Sequence, residues 1–84
     1  MIKIRYFASL REALGTDGEE MVLPGNVLDM ASLAEHLRGR GGVWQQAFAA
    51  DRTLMMAVNQ EAARAKSPVA DGDELAFFPP VTGG

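Results

Sequence analysis

The chain opens with a segment in which apolar and charged residues alternate. On an extended backbone, one side carries Ile2, Ile4 and Tyr6, and the other carries Lys3, Arg5 and Phe7. A period of two is typical of a half-buried strand. The pattern therefore predicts a first strand at the start of the chain.

The next two segments predict a short helix and a second strand. Ser9 and Glu12 have the S-x-x-E spacing of a capping box, and Gly15 can end a two-turn helix in a left-handed conformation. The run from Glu19 to Pro24 contains three consecutive apolar residues and ends in a Pro-Gly turn signal. We expect this run to pair back on the first strand.

The clearest helix is predicted over residues 30–40, with Asp29 as its N-cap and Gly41-Gly42 as its end. Its apolar face has the i, i+3, i+4, i+7 spacing and consists of Met30, Leu33, Ala34 and Leu37. A short third helix follows, in which Trp44 and Phe48 are expected to close one end of the core.

The remaining third of the chain predicts two further strands. The apolar run from Thr53 to Asn59 is short enough for a buried strand, whereas residues 60–70 have no firm period and are expected to form a loop or a sheet edge. Asp71–Glu74 is predicted as a tight turn, followed by the strand "ELAFF", which two prolines end. A helix across one face of a mixed sheet is a two-layer α+β domain.

Composition narrows the class of protein. With 84 residues and 48% hydrophobic content, the chain is expected to form one domain over residues 1–84. The net charge of −3 argues against a nucleic-acid or anionic-membrane binder. There is no cysteine, no apolar run long enough to span a membrane and no signal-peptide pattern, so we expect a cytoplasmic protein.

No internal catalytic constellation emerges from the motifs. His36 is the only histidine, and its charged neighbours on a helix flank favour a surface position. The Gly-rich stretch at residues 39–42 follows a helix instead of opening one, and the acidic turn at 71–74 is too short for a calcium loop. We therefore expect neither a metal site nor a bound cofactor.

The C-terminal arm, residues 79–84, remains as the candidate for chemistry. It can reach about 20 Å at about 3.3 Å per residue. Pro79 and Pro80 favour a stiff exit from the sheet, and Gly83 and Gly84 could enter a channel too narrow for other residues. Its terminal carboxylate becomes a good electrophile only after activation, for example by AMP. Composition alone favours an inert, frayed terminus, because chain ends usually fray.

Three motifs change that balance: "YFASLRE" near the start, "VNQE" in the middle and "DGDELAFFPPVTGG" at the end. Together they resemble the small subunits of molybdopterin synthase, which are ubiquitin-like β-grasp sulfur carriers, over essentially the whole chain. The resemblance implies a β-grasp fold in which the first and last strands are adjacent in the middle of the sheet. A terminal Gly-Gly alone is shared by sulfur carriers of thiamin and other pathways and by ubiquitin-like modifiers, which remain the alternatives.

The resemblance also implies a function. An ATP-using activating enzyme would adenylate the Gly84 carboxylate, and a desulfurase or rhodanese-like donor would supply the sulfur of a thiocarboxylate. The arm would then enter the large, catalytic subunit of the synthase and donate sulfur to cyclic pyranopterin monophosphate. On this basis the chain is not an enzyme by itself but the carrier subunit of a heterotetramer.

The resemblance assigns the following residues. Gly84 carries the sulfur, and the part of the arm that lies in the partner's channel consists of Gly83, Thr82, Val81, Pro80 and Pro79. Phe7 and Phe78 are candidates for the docking surface, because exposed aromatic residues make strong interface anchors. Packing in the core is the equal alternative for both.

Overall fold

The computed structural model describes residues 1–80; the assignments made for Val81, Thr82, Gly83 and Gly84 lie outside that range. Within it the elements are β1 (Ile2–Tyr6), α1 (Ala8–Leu14), β2 (Gly18–Met21), α2 (Met30–Arg38), α3 (Gly42–Ala47), β3 (Met55–Val58), β4 (Glu61–Ala63) and β5 (Glu74–Phe78).

The strands form one mixed sheet in the order β2-β1-β5-β3-β4. β5 runs parallel to β1 and antiparallel to β3, while β2 and β4 form the two edges through antiparallel pairs. The first and last strands are thus adjacent in the middle, as the resemblance implied. The predicted α+β class and β-grasp arrangement are confirmed.

The core lies between one face of this sheet and the three helices. α2 presents Met30, Leu33 and Leu37, none of which is exposed to solvent, in agreement with the predicted helical spacing. The sheet contributes the predicted inward side of β1 and alternate residues of β5, namely Ile2, Ile4, Tyr6, Leu75 and Phe77. None of the three helices described over residues 1–80 covers the other side, which we call the open sheet face.

A polar and aromatic cluster ties α3 to the edge of the sheet. The Tyr6 hydroxyl donates to Glu19 Oε2 at 2.9 Å, and the Arg40 guanidinium donates to both Glu19 oxygens at 2.7 and 2.8 Å. Arg40 also lies 4.4 Å from the Trp44 ring centre. Burial is the main factor that raises the pKa of Tyr6, and the hydrogen bond from Arg40 is the main factor that lowers the pKa of Glu19. Tyr6 therefore stays a neutral donor, and Glu19 a charged acceptor.

The start of α1 differs from the prediction. Phe7 is the N-cap, no side chain caps the helix, and Ser9 already lies inside it, so the predicted Ser9 capping box is wrong. The reason is that Phe7 remains extended and its N–H donates to the Phe77 carbonyl, after which Ala8 turns the chain with φ of 55°. Gly15 ends the helix with φ of 73°, as predicted.

The second helix keeps its predicted start and loses its last two residues. The Asp29 carboxylate accepts from the Ser32 N–H at 2.8 Å, and the Ser32 hydroxyl accepts from the Asp29 N–H at 3.0 Å, which makes a complete capping box. The helix ends at Arg38 instead of Arg40, because the chain reverses through Gly41 with φ of 77°.

Strand β4 lies in the segment expected to be a loop or an edge. Glu61–Ala63 pairs antiparallel with β3 and is an edge strand of only three residues. Its hairpin turn is made by Asn59 and Gln60, with φ of 50° and 69°. A strand of three residues is too short to show an alternation of apolar and polar residues in the sequence. Its conformation comes from the hairpin and the partner strand.

Candidate functional site: the base of the C-terminal arm

The arm continues directly from β5, the central strand. β5 has ladder partners on both sides and ends at Phe78, as predicted from the two prolines that follow. Pro79 and Pro80 are half-buried. The last residue of the sheet is therefore fixed by its strand partner, and the first two residues of the arm still pack against the domain.

Phe7 and Phe78 lie side by side on the open sheet face. Their rings meet edge to face with centres 6.5 Å apart, and the Phe7 side chain is 42% exposed. The core aromatic of β5 is its neighbour Phe77, which is 1% exposed. The two residues that could have been core or surface thus form an aromatic pair at the base of the arm, in which Phe7 is exposed and Phe78 is half-buried.

Two residues that the sequence analysis did not select belong to the same surface. Met55 pairs with Phe78 across the β3–β5 ladder and is 45% exposed, and the Arg5 guanidinium lies 5.9 Å from the Phe7 ring centre. The signal for Arg5 was present, because it shares the outward side of β1 with Phe7. Met55 carried no such signal, since only the register with β5 places it beside Phe78.

The open sheet face has a hollow of about 350 Å³ next to the aromatic pair. Its floor is formed by the small side chains of Ala57 and Ala76, and its polar rim by Arg5, Gln60 and Glu74. An apolar floor with a few polar groups at the rim is a common composition for a binding surface.

Asn59 fixes the hairpin that brings Gln60 to this rim. Its side-chain oxygen accepts from the Glu74 N–H at 3.0 Å, its amide donates to Asp73 Oδ1 at 3.1 Å, and its backbone N–H donates to the Glu74 carbonyl at 2.7 Å. These bonds join the β3–β4 turn to the start of β5. Asn tolerates the positive φ that the turn requires better than most residues.

The other predicted positions show no catalytic arrangement over residues 1–80. His36 is exposed on α2, as expected. Gly72 makes the acidic turn with φ of 92°, and no group of three potential metal ligands is found in this range. Among the described helices, none is both long and apolar enough to cross a membrane.

Comparison with known proteins shows the family to which the chain belongs. The family model of the ThiS family matches residues 4–84. The chain belongs to the ThiS family. Among curated relatives, the molybdopterin synthase sulfur carrier subunit of Escherichia coli strain K12 is 42% identical over 84 residues and is covered in full, as is this chain. The family resemblance predicted from the three motifs is confirmed.

Solved structures of other proteins share the fold. The crystal structure of small archaeal modifier protein 1 from H. volcanii has a TM-score of 0.72 and 26% identity, covering 95% of this chain and 97% of its own. A complex of subunits 1 and 2 of molybdopterin-converting factor from Helicobacter pylori 26695 has a chain that matches with a TM-score of 0.63. That match is 19% identical and covers 99% of this chain and 97% of the other, so it supports the fold alone.

Proposed function

We propose that this ThiS-family chain is the sulfur carrier subunit of a molybdopterin synthase and acts in molybdenum cofactor biosynthesis. The observation that carries the proposal is the full-length match to a sulfur carrier subunit at 42% identity. The geometry supports it, because the arm starts from the central strand beside the aromatic pair of exposed Phe7 and half-buried Phe78. We propose a single carrier domain over residues 1–84 that works in the cytoplasm.

The reacting group in this proposal is the Gly84 carboxylate. An activating enzyme would consume ATP to join AMP to it and release pyrophosphate. The terminal sulfur of a persulfide on a desulfurase or rhodanese-like donor would then displace AMP, and a thiol would reduce the resulting acyl disulfide to leave a thiocarboxylate and a disulfide on the donor. Cyclic pyranopterin monophosphate would receive the sulfur in the active site of the large subunit. The carrier itself needs no bound cofactor for these steps, because ATP bound by the partner enzyme supplies the free energy for activating the carboxylate.

The arm and the open sheet face have separate roles in the proposal. The arm would enter the channel of the large subunit, with Gly83 at its narrowest part, and the other arm residues in the channel are Thr82, Val81, Pro80 and Pro79. Phe7 and Phe78 would be buried against the rim of that channel. Large aromatic side chains that lose their solvent exposure on binding supply a major share of interface energy. The assembly expected is a heterotetramer of two small and two large subunits.

Mass spectrometry of the intact protein tests the terminal chemistry. The chain is co-expressed with its activating enzyme and a sulfur donor, and we expect the mass change of one oxygen-to-sulfur exchange at Gly84. A matched chain without Gly84 serves as the control and should show no exchange. If the complete chain is also unmodified under these conditions, the carrier assignment is wrong.

Reconstitution distinguishes a sulfur carrier for molybdopterin from a sulfur carrier for thiamin. The sulfurated chain is mixed with the large subunit of molybdopterin synthase and the pyranopterin precursor, and molybdopterin should form. A sulfurated chain that instead supports thiazole formation would favour a thiamin-pathway carrier.

A protein modifier is the second candidate, favoured by the likeness to small archaeal modifier protein 1. In that case the activated glycine would form amide bonds with lysine side chains of other proteins. Immunoblots of tagged chain from cells, run under reducing and denaturing conditions, should then show covalent adducts that disappear when Gly84 is deleted. The carrier assignment predicts no such adducts.

A further inference from the structure

A second hollow lies between the helices α1 and α3, on the helical side of the sheet. This α1–α3 groove has a volume of about 380 Å³. Its apolar walls come from α1, α3 and the segment before β3, and include Leu10, Ala13, Val43 and Leu54. Ala13 and Val43 are exposed, so part of the apolar wall is not covered by the rest of the described domain. Contiguous exposed apolar surface of this kind is typical of a contact site for another protein.

The groove adjoins the base of the arm. Pro79 and Pro80 are part of its lining, and they follow Phe78 directly in the chain. The base of the arm thus connects two apolar surfaces, the aromatic pair of Phe7 and Phe78 on the open sheet face and the groove on the helical side. A protein that receives the arm in a channel brings the rim of that channel up to Pro80, and therefore up to the groove.

The groove has a cation and no acidic side chain among its described lining residues. Arg52 is part of the lining, is exposed, and makes no salt bridge with any residue in the range 1–80. The hollow on the open sheet face differs, because Arg5 and Glu74 both lie at its rim. A guanidinium binds a carboxylate through two parallel hydrogen bonds. The groove is therefore complementary to an apolar side chain with a carboxylate next to it.

We propose that the α1–α3 groove is a second docking site for the large subunit of the synthase. The large subunit fills the groove with an apolar side chain from the rim of its channel, and an aspartate or glutamate beside that side chain pairs with Arg52. This inference rests on the proposed function, which supplies the partner that receives the arm. The groove and the aromatic pair then hold the base of the arm from both sides of the sheet. A base that is held in this way orients the arm within the channel.

Substitution of Arg52 tests the charge pairing. Arg52→Gln should lower the affinity for the purified large subunit about two- to fivefold, and Arg52→Glu about tenfold or more, because it places like charges together. Both losses should shrink in about 1 M salt, where the Debye length is about 3 Å. Arg64→Gln and Arg64→Glu are the matched controls, since Arg64 is an exposed arginine on the loop after β4 and lies outside the groove lining.

Val43→Ala tests the apolar part of the site. Removing the branched methyl groups should lower the affinity about three- to tenfold, and this loss should persist in high salt because it does not depend on charge. Val22→Ala is the control, since Val22 is an exposed valine that follows β2 and lies outside the groove. Titration calorimetry measures all affinities, and thermal unfolding verifies that each variant is folded. If Arg52→Glu or Val43→Ala binds as tightly as its control, the proposal is wrong.

Two comparisons identify the occupant and separate this inference from the proposed function. The same variants are titrated with the activating enzyme, and losses seen there but not with the large subunit would overturn the occupant proposed here. The wild-type chain is titrated with the large subunit in parallel. Tight wild-type binding that the groove variants retain refutes only the groove, whereas a wild-type chain that does not bind the large subunit refutes the proposed function as well.

Discussion

Phe7 has a proposed role in partner binding that is separate from the packing of the fold. Its ring is 42% exposed and touches Phe78, which is itself on the open sheet face. Because the core contains Phe77 instead, shortening Phe7 leaves the packing between sheet and helices intact. The residue is therefore a place where partner binding and stability can be measured separately.

Phe7→Ala should weaken binding to the large subunit by about 2 kcal/mol, or about 30-fold, as expected for an aromatic interface anchor. Titration calorimetry with the purified large subunit measures the effect. Val22→Ala is the control, because Val22 is an apolar residue with 73% exposure that follows the edge strand β2. Equal affinities for the two variants would exclude Phe7 from the docking surface.

Asn59 illustrates the opposite case, a polar surface residue with a structural role. Asn59→Ala removes two side-chain hydrogen bonds to the start of β5 and places an alanine at a φ of 50°. We expect the free energy of unfolding to fall by about 1–3 kcal/mol, measured by urea denaturation. Gln60→Gly, at φ of 69°, should instead leave stability unchanged or slightly higher, because glycine adopts this conformation without strain. A comparable loss in both variants would mean that the side-chain bonds of Asn59 contribute nothing.

At the scale of elements, the helices α1 and α2 begin in different ways. Asp29 and Ser32 exchange hydrogen bonds at the start of α2, whereas the start of α1 is defined by the backbone of Phe7 and Ala8. Both sequences contain residues that favour caps, so sequence motifs alone do not separate the two cases.

Asp29→Ala should therefore cost about 1 kcal/mol of unfolding free energy, the usual effect of losing an N-cap. Ser9→Ala, which removes the hydroxyl of the apparent capping box in α1, should cost much less. Thermal or urea unfolding of both variants checks the contrast. A larger loss for Ser9→Ala would contradict the helix start at Ala8.

The ion pair between Glu19 of the edge strand β2 and Arg40, which lies between α2 and α3, predicts a pH dependence of stability. Arg40 lowers the pKa of Glu19 in the folded protein, while in the unfolded chain a glutamate has a pKa of about 4.3. The folded state thus favours the charged form. The stabilisation is fully present above pH of about 4.3, and it is lost as the pH falls through the lowered folded pKa.

Glu19→Gln should lower the free energy of unfolding at pH 7 by about 1 kcal/mol or less, because the pair is partly exposed. The difference from the wild type should shrink as the pH is lowered below about 4. Glu35→Gln is the control, since Glu35 pairs with Arg38 on the same helix and its side chain is 64% exposed. Urea denaturation at several pH values measures both variants. A wild-type advantage over Glu19→Gln that grows towards acid pH would have the wrong sign.

At the scale of the whole molecule, the domain and the arm are separable. The domain is held together by a core in which Leu75 of β5 and Leu37 of α2 are fully buried. Pro79 and Pro80, the described residues of the arm, are half-buried and do not belong to that core. Stability and carrier chemistry should therefore respond to different changes.

Deleting Gly83 and Gly84 should leave the midpoint of thermal unfolding almost unchanged and abolish sulfur transfer, because chain ends contribute little to stability. Leu75→Ala should have the reverse effect, with a loss of about 2–5 kcal/mol of unfolding free energy. Calorimetry and the molybdopterin reconstitution assay, run on both variants at a temperature where both are folded, measure the two quantities. Residual sulfur transfer in the deletion variant would refute the role of Gly84.

Much of the fold could be predicted from the sequence, because long strands and helices show a regular spacing of apolar residues. The outward and inward sides of β1, the apolar face of α2 and the limits of β5 were all predicted correctly. Strand β4 was not, since a three-residue edge strand has no period and depends on the Asn59-Gln60 turn. The start of α1 was missed for a related reason, because the continuation of the β1–β5 ladder through Phe7 shifts the helix.

The candidate site likewise has features that the sequence determined and features that only the tertiary structure decided. The sequence by itself determined the arm, its glycines, the family and the side of β1 on which Phe7 lies, because these are properties of single residues and local spacing. Only the tertiary structure decided that Phe78 and not Phe77 faces outward, that Met55 joins the aromatic pair, and that a hollow lies beside this pair. Those features depend on the register between strands far apart in the chain, and register is selected by burying one face of the whole sheet.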